Sequence, residues 1–300
     1  MPASRTVAGR ARTILVAASL GMLVASPVAG QGNGHAYGHS KRGGGPSAAG
    51  KPEVQKSAAI AGTGVRNFGS WLDDASMLPV GQGALTLSFG YWRTPSFREW
   101  DLPTTDAAVA LAPRLQVGVS VPYYHAAEPG GPVARGVGDL YLSAKVQLRD
   151  PSGAEKPLGF AVTPVLEVLS SDPPPGVSRY SWGLPVSVEL QRNRWRTFGS
   201  AGYFSRGSLF ASAALELALT ERTFVSGTIT QSHSIERDDL SRALGYTQTR
   251  TDVSGALSAA VSDTLTVYGA VGRTISKRDP NSATMLISGG VSLNFAAWNR

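Results

Sequence analysis

The sequence has no cysteine in 300 residues, so disulfides take no part in its stability. Thiol nucleophiles and cysteine-ligated metal centres are excluded with them. Charge is scarce, at 16% of all residues. Acid is nearly absent from the N-terminal part. Before residue 67 there is one, Glu53, against Arg5, Arg10, Arg12, Lys41, Arg42, Lys51, Lys56 and Arg66. The net charge of +7 therefore lies there; from residue 67 onward, 20 basic and 20 acidic residues cancel. No basic patch with interleaved aromatics remains to suggest nucleic acid. Long apolar runs are missing too. Ile14–Ala25 is too short to span a bilayer as a helix, and no later stretch offers about twenty unbroken apolar residues. Helical membrane proteins are excluded.

Alternation is what the chain has instead. Ala84–Trp92 carries Leu85, Leu87, Phe89 and Tyr91 on one phase, with Ala, Thr, Ser and Gly on the other. Asp139–Arg149 repeats the pattern: Leu140, Leu142, Ala144, Val146 and Leu148 against Asp139, Tyr141, Ser143, Lys145, Gln147 and Arg149. Successive side chains of a strand point to opposite faces, so each segment has one apolar and one wet face. Strands of about ten such residues, repeated to the C-terminus, are the signature of a transmembrane β-barrel. A mean hydropathy near zero fits, since half of each strand is polar.

The first thirty residues read as a secretory signal peptide. Three arginines precede Ile14–Ala25, and Val28-Ala29-Gly30 supplies small residues before a cleavage site at Gln31. Export with amphipathic strands predicts a bacterial outer-membrane barrel; the alternative is a secreted or periplasmic β-sandwich. Residues 31–67 are rich in Gly, Ala and Ser and are expected to be flexible. Residues 68–80 carry Trp71, Asp73 and Asp74 and are a candidate plug. The barrel occupies 81–300.

Twelve strands are predicted, near 83–93, 104–112, 115–125, 138–149, 158–169, 180–191, 194–204, 208–218, 222–234, 249–261, 264–275 and 283–295. Poor alternation over 194–204 and 222–234 leaves ten or fourteen open. Links alternate in length. Residues 112–114, 191–194, 219–222 and 262–264 are tight; 94–103, 126–137, 170–179 and 235–248 are long. Short turns in such barrels are periplasmic, so both termini are expected in the periplasm of this all-β, up-and-down antiparallel barrel. Aromatics near strand ends (Tyr91, Trp92, Trp100, Tyr123, Tyr124, Trp182, Trp195, Phe204, Phe295, Trp298) suggest interfacial girdles.

Lys145, Arg149, Glu167, Glu189, Glu216 and Asp252 fall on polar phases. Charge facing lipid costs about 2–4 kcal/mol at the midplane, so these are expected to line the lumen. Mixed-sign charge there either borders an aqueous path or closes into salt bridges. Small residues such as Ala84, Ser88, Gly118, Ser120, Ser187, Ala214, Ser254, Ser258 and Gly290 leave room for a path. No catalytic or metal site is indicated. His35 and His39 lack further ligands, with Gly34 and Gly38 against a helix. Ser232 and His233 are adjacent on a strand and point apart, so they do not form a nucleophile–base pair.

Gly136-Val137-Gly138-Asp139-Leu140-Tyr141-Leu142-Ser143-Ala144-Lys145-Val146 resembles the Gly-x-Gly-Asp-Leu-x-Leu-x-x-Lys strand opening of a transporter-like outer-membrane family. That family is named after the meta-pathway of phenol degradation. Trp71-Leu72-Asp73-Asp74-Ala75, followed by Leu78-Pro79 and a first strand, is similar to how such chains begin. The resemblance implies a monomeric barrel handling small molecules, hydrophobic ones included. One departure stands out. Such barrels usually end on an aromatic residue that aids insertion, whereas here Ala296–Arg300 follow Phe295. The expected function is a channel or transporter for small solutes, with a structural or surface-interaction barrel as the alternative. The partners expected are outer-membrane lipid, the insertion machinery and a small solute; no cofactor is expected.

Overall fold

The computed structural model describes residues 71–127, 133–151, 157–170, 178–192, 194–235, 246–280 and 282–298. The signal peptide, the 31–67 segment with its histidines, and Phe68 lie outside them. The described residues contain fourteen strands and no helix. They are β1 (Gln82–Arg93), β2 (Arg98–Ala112), β3 (Leu115–Ala127), β4 (Val133–Val137), β5 (Leu140–Arg149), β6 (Leu158–Val162), β7 (Val165–Val168), β8 (Tyr180–Arg192), β9 (Trp195–Phe204), β10 (Ser208–Ala218), β11 (Thr223–Ser234), β12 (Thr249–Ala260), β13 (Leu265–Thr274) and β14 (Met285–Ala296).

All pairs are antiparallel, and β1 pairs with β14 in register from Gln82↔Ala296 to Arg93↔Met285. The sheet therefore closes. β4 and β5 form one stave, interrupted at Gly138 and Asp139; β6 and β7 form another, interrupted at Thr163 and Pro164. The result is a closed antiparallel barrel of twelve staves. The second interruption follows from proline, which has no N–H for the ladder. Its carbonyl still accepts from Ala144 N at 3.0 Å, and Thr163 N bonds Pro185 O at 2.9 Å, so the wall stays continuous.

Burial runs opposite to that of a soluble protein. Leu142, Leu166, Leu184, Leu215, Leu217, Leu257, Val271, Val291 and Leu293 are exposed, while Ser, Thr, Asp and Glu on the other phase are buried. The wet phase faces the lumen and the apolar phase forms the outer band. Leu142→Arg should then cost about 2–4 kcal/mol in a bilayer, and Leu142→Met should cost little. Folding yield into lipid vesicles checks this, and equal yields for the two would place Leu142 away from lipid.

Two expectations are corrected. The 94–103 link is mostly strand: β2 begins at Arg98, leaving 94–97 as the turn. Tyr91 and Trp100 pair across the hairpin with ring centroids 4.2 Å apart, and Thr94 Oγ1 accepts from Phe97 N at 3.0 Å, which carries the ladder further than the polar residues suggest. Trp92 and Phe204 are not girdle residues. They lie on the inward phase and are buried, whereas Trp100, Tyr180, Trp182, Trp195 and Phe295 face out.

The staves begin and end at one rim. Ala297 N donates to Gly81 O at 2.8 Å, so the residues after Phe295 dock beside the start of β1. Gly81 adopts φ +82°, and a Cβ there would meet the Trp298 ring nitrogen at 3.1 Å. The positive φ favours glycine, and the Trp298 ring leaves little room for a side chain.

Candidate functional site

The lumen holds a length of the chain itself. Residues 71–78 precede β1 and all are buried. Leu78 packs with Ala84, Ala108 and Ala110 near the rim where β1 begins. Leu72 packs with Phe198 and Ala214, and Trp71 with Tyr141, Val165, Phe204 and Phe210 toward the opposite end. Eight residues of extended chain reach roughly 25 Å, close to the height of the apolar band of such a barrel. The segment thus runs along the lumen instead of resting at its mouth.

It joins no strand ladder, and buried backbone groups need partners. Side chains of the wall supply them. Ser200 Oγ accepts from Asp73 N at 3.2 Å and donates to Trp71 O. Glu189 accepts from Ala75 N at 3.2 Å and from Ser76 Oγ at 2.7 Å. Gln147 donates to Ala75 O at 2.8 Å, and Gln116 accepts from Leu78 N at 2.9 Å.

Charge completes the attachment. Lys145 Nζ lies 2.7 Å from Asp73 and 3.1 Å from Asp74, and also donates to Ser76 O at 3.1 Å. Arg196 reaches Asp74 at 3.0 Å, Glu189 at 3.5 Å and Glu216 at 3.2 Å. Its guanidinium also lies over the Phe198 ring, 4.6 Å from the centroid. Thr163 donates to Asp73 at 3.0 Å. These pairs join two cations to four carboxylates, all nearly dry. In a low-dielectric lumen such pairs are screened little by salt.

Of the six charged residues read as lumen-lining, Lys145, Glu189 and Glu216 meet in this network. Glu167 is inward but closer to the Trp71 end, accepting from Tyr141 Oη at 2.8 Å and from Ser181. Asp252 is inward on another stave, 3.1 Å from Arg250 Nε, and that guanidinium lies 4.7 Å from the Trp92 ring. Arg149 does not join them. It is exposed at the end of β5, beyond a register shift between Gln147 and Arg149 that interrupts the alternation. Ser232 is buried inward and His233 is exposed, bonded to Thr249 at 2.8 Å. Among the described residues no group of His, Asp and Glu is placed to hold a metal.

Sequence reasoning missed Arg196, which makes the most ion pairs of any residue in the cluster, and the neutral partners Ser200, Gln147, Thr163 and Gln116. The signal for Arg196 was present. It shares the inward phase with Phe198 and Ser200 while Thr197 and Ala201 face out, so this strand mixes polar and apolar residues on both phases.

The wall away from this network differs in kind. From β11 through β14 to β1 the inward residues include Ser226, Thr228, Ser254, Ser258, Thr266, Ser288, Gly290, Ser292, Thr86 and Ser88, small and neutral, beside the larger Phe224, Tyr268, Leu286 and Trp92 and the Arg250–Asp252 pair. Thr86 bonds Ser292 at 2.9 Å across the β1–β14 seam.

No protein-family model matches the sequence, and no curated protein matches it. Among solved structures the chain is similar to an outer-membrane channel of Pseudomonas putida F1. The TM-score is 0.59 at 15% identity, covering 74% of this chain and 98% of that one. It is also similar to the NanC porin, with a TM-score of 0.50 at 9% identity, covering 70% and 98%. At these identities the likeness concerns the fold.

Proposed function

We propose that this chain is a bacterial outer-membrane channel for small solutes, apolar ones included, exported by its signal peptide and acting as a monomer. Its short-turn rim and both termini then face the periplasm. The observation that carries the reading is the division of the lumen: charged and amide side chains of β5, β8 and β9 hold the inserted segment, whereas on the inward face of β11–β14 and β1 Ser, Thr and Gly are frequent and charge is confined to the Arg250–Asp252 pair. A barrel needing only stability has no use for an internal strand held by buried ion pairs, because such pairs are often no better than an apolar filling. A segment held by charge and hydrogen bonds, facing a wall on which small neutral side chains are frequent, suits a narrow path whose width the segment sets.

The resemblance of 136–146 and 71–79 to the transporter-like family points the same way, as does the barrel shared with the Pseudomonas channel. Nothing in the arrangement asks for catalysis. Solute entry into liposomes containing the full chain tests the reading. Glycerol-sized and small aromatic solutes should enter faster than in protein-free liposomes. Equal rates for every solute would favour a structural or surface-interaction barrel.

A further inference from the structure

The outward face of the long-loop rim carries a row of arginines that the lumen does not explain. The β1–β2 ladder sets Arg93 directly opposite Arg98, and the β1–β14 ladder sets Arg93 opposite Met285. Gly272 pairs with Leu286, so Arg273, the next residue, stands beside Met285. All three arginines are exposed and lie on the outward phase of their strands. At a strand spacing of about 4.8 Å they form one row roughly 15 Å long. One step toward the middle of the barrel, the same four strands present Val271, Ile287, Tyr91 and Trp100, again in register. The Tyr91 and Trp100 ring centroids are 4.2 Å apart.

Like charges directly opposite each other in a ladder are destabilising, and no acid relieves them here. Among the described residues none of the three arginines is in an ion pair. Glu99 and Asp101, their neighbours on β2, lie on the inward phase and are buried. The exposed acids among the described residues, Asp150, Glu221 and Asp263, all sit at the opposite rim, mixed with arginines. The long-loop rim adds exposed Arg135, Lys277 and Arg278 instead. Exposed charge among the described residues is therefore mixed at one rim and basic at the other.

We propose that this face of β13, β14, β1 and β2 binds a phosphorylated membrane lipid. The arginine row receives phosphate groups at headgroup depth, where each guanidinium offers two parallel N–H donors. The row beneath lies against the upper acyl chains, with Tyr91 and Trp100 at the depth that interfacial aromatics take. These side chains point away from the lumen, so they do not serve a solute on its way in. Two copies standing the same way in one membrane would bring this basic face against itself. Charge complementarity thus favours a lipid over a second copy. In the orientation proposed above, the lipid belongs to the outer leaflet.

The inference needs the barrel in a membrane but no transport through it. Delipidated full-length protein in neutral detergent micelles is titrated with phosphatidic acid or phosphatidylcholine, and bound lipid is counted by native mass spectrometry. Phosphatidic acid should bind at least about tenfold more tightly than phosphatidylcholine, since each arginine near an anionic headgroup is worth about fivefold. Inorganic phosphate at equal concentration should not displace it. Combining Arg93→Gln, Arg98→Gln and Arg273→Gln should cut the preference to within about twofold. Combining Arg114→Gln, Arg192→Gln and Arg222→Gln removes the same charge from the opposite rim and should leave the preference intact. Heat-modifiable gel mobility confirms that both triple variants are folded. Equal affinity for the two lipids, equal loss in both variants, or displacement by inorganic phosphate overturns the site. A dimer of the delipidated protein that the first variant abolishes gives the face to a second copy and overturns it too. A tenfold preference in a barrel that passes no solute supports the site and counts against the channel alone.

Discussion

Arg196→Met should destabilise the barrel by about 3–5 kcal/mol and loosen the inserted segment. The reason is what the arginine leaves behind. It is buried, and it faces Asp74, Glu189 and Glu216 at 3.0–3.5 Å. Methionine fills much of the volume but supplies no charge, so three carboxylates sit close together in a dry lumen with only Lys145 nearby. Removing one partner of a buried pair costs more than the pair itself contributes, because the stranded charges keep their desolvation penalty. A second change separates this from lost packing. Adding Glu216→Gln to Arg196→Met removes one stranded charge and should return part of the stability; packing loss alone would not be rescued. Urea unfolding in vesicles gives both numbers. A change under about 0.5 kcal/mol for Arg196→Met, the size usual for an unimportant surface site, would show that the ion pairs do not hold the segment.

Much of this barrel was legible because lipid and lumen impose a two-residue period on every stave. The predicted 115–125, 180–191 and 208–218 correspond to β3, β8 and β10 within two residues at each end. Each carries apolar residues on one phase and mostly small or polar residues on the other, Phe210 of β10 being an inward exception. The twelve-stave count was readable even though fourteen strands are present, because both extra strands arise from interruptions within a stave, at Gly138-Asp139 and Thr163-Pro164. The local interruptions themselves were not foreseen. They depend on what a neighbouring strand offers, such as the Pro122 carbonyl that accepts from Gly138 N at 2.8 Å.

The site was legible only in part, for a related reason. Lys145, Glu189 and Glu216 stand out as lone charges on small-residue phases. Arg149 obeys the same phase but lies past a register shift, which a period-two argument does not see. Arg196 lies in a strand whose inward face includes Phe198 and Phe204, so its phase read as mixed. Those aromatics are inward because the lumen is not simply aqueous: Phe198 packs on Leu72, and Phe204 on Trp71. The apolar members of the inserted segment thus account for the wall positions that broke the pattern. Trp71, Asp73 and Asp74 drew attention as an aromatic and two acids ahead of the first strand. Their partners come from staves far along the chain, and one sequence gives no measure of that pairing.

The central claim is that residues 71–78 occupy the lumen and set its width. Single-channel recording of two proteins tests it most directly: the full chain, and a form lacking residues 31–78 that keeps Pro79 and the barrel. The deletion removes eight buried residues and their ion pairs, leaving Lys145 without its two aspartates and Arg196 with only Glu189 and Glu216 in an opened lumen. A twelve-stranded barrel lies between eight strands, whose interior side chains fill, and the sixteen or so that leave an open aqueous channel. Removing the internal strand should therefore raise conductance several-fold, and the new lumen should turn toward anions because two cations lose Asp73 and Asp74. Heat-modifiable mobility shows that the shortened barrel has folded. A folded deletion form with the same conductance and ion preference as the full chain would contradict the account.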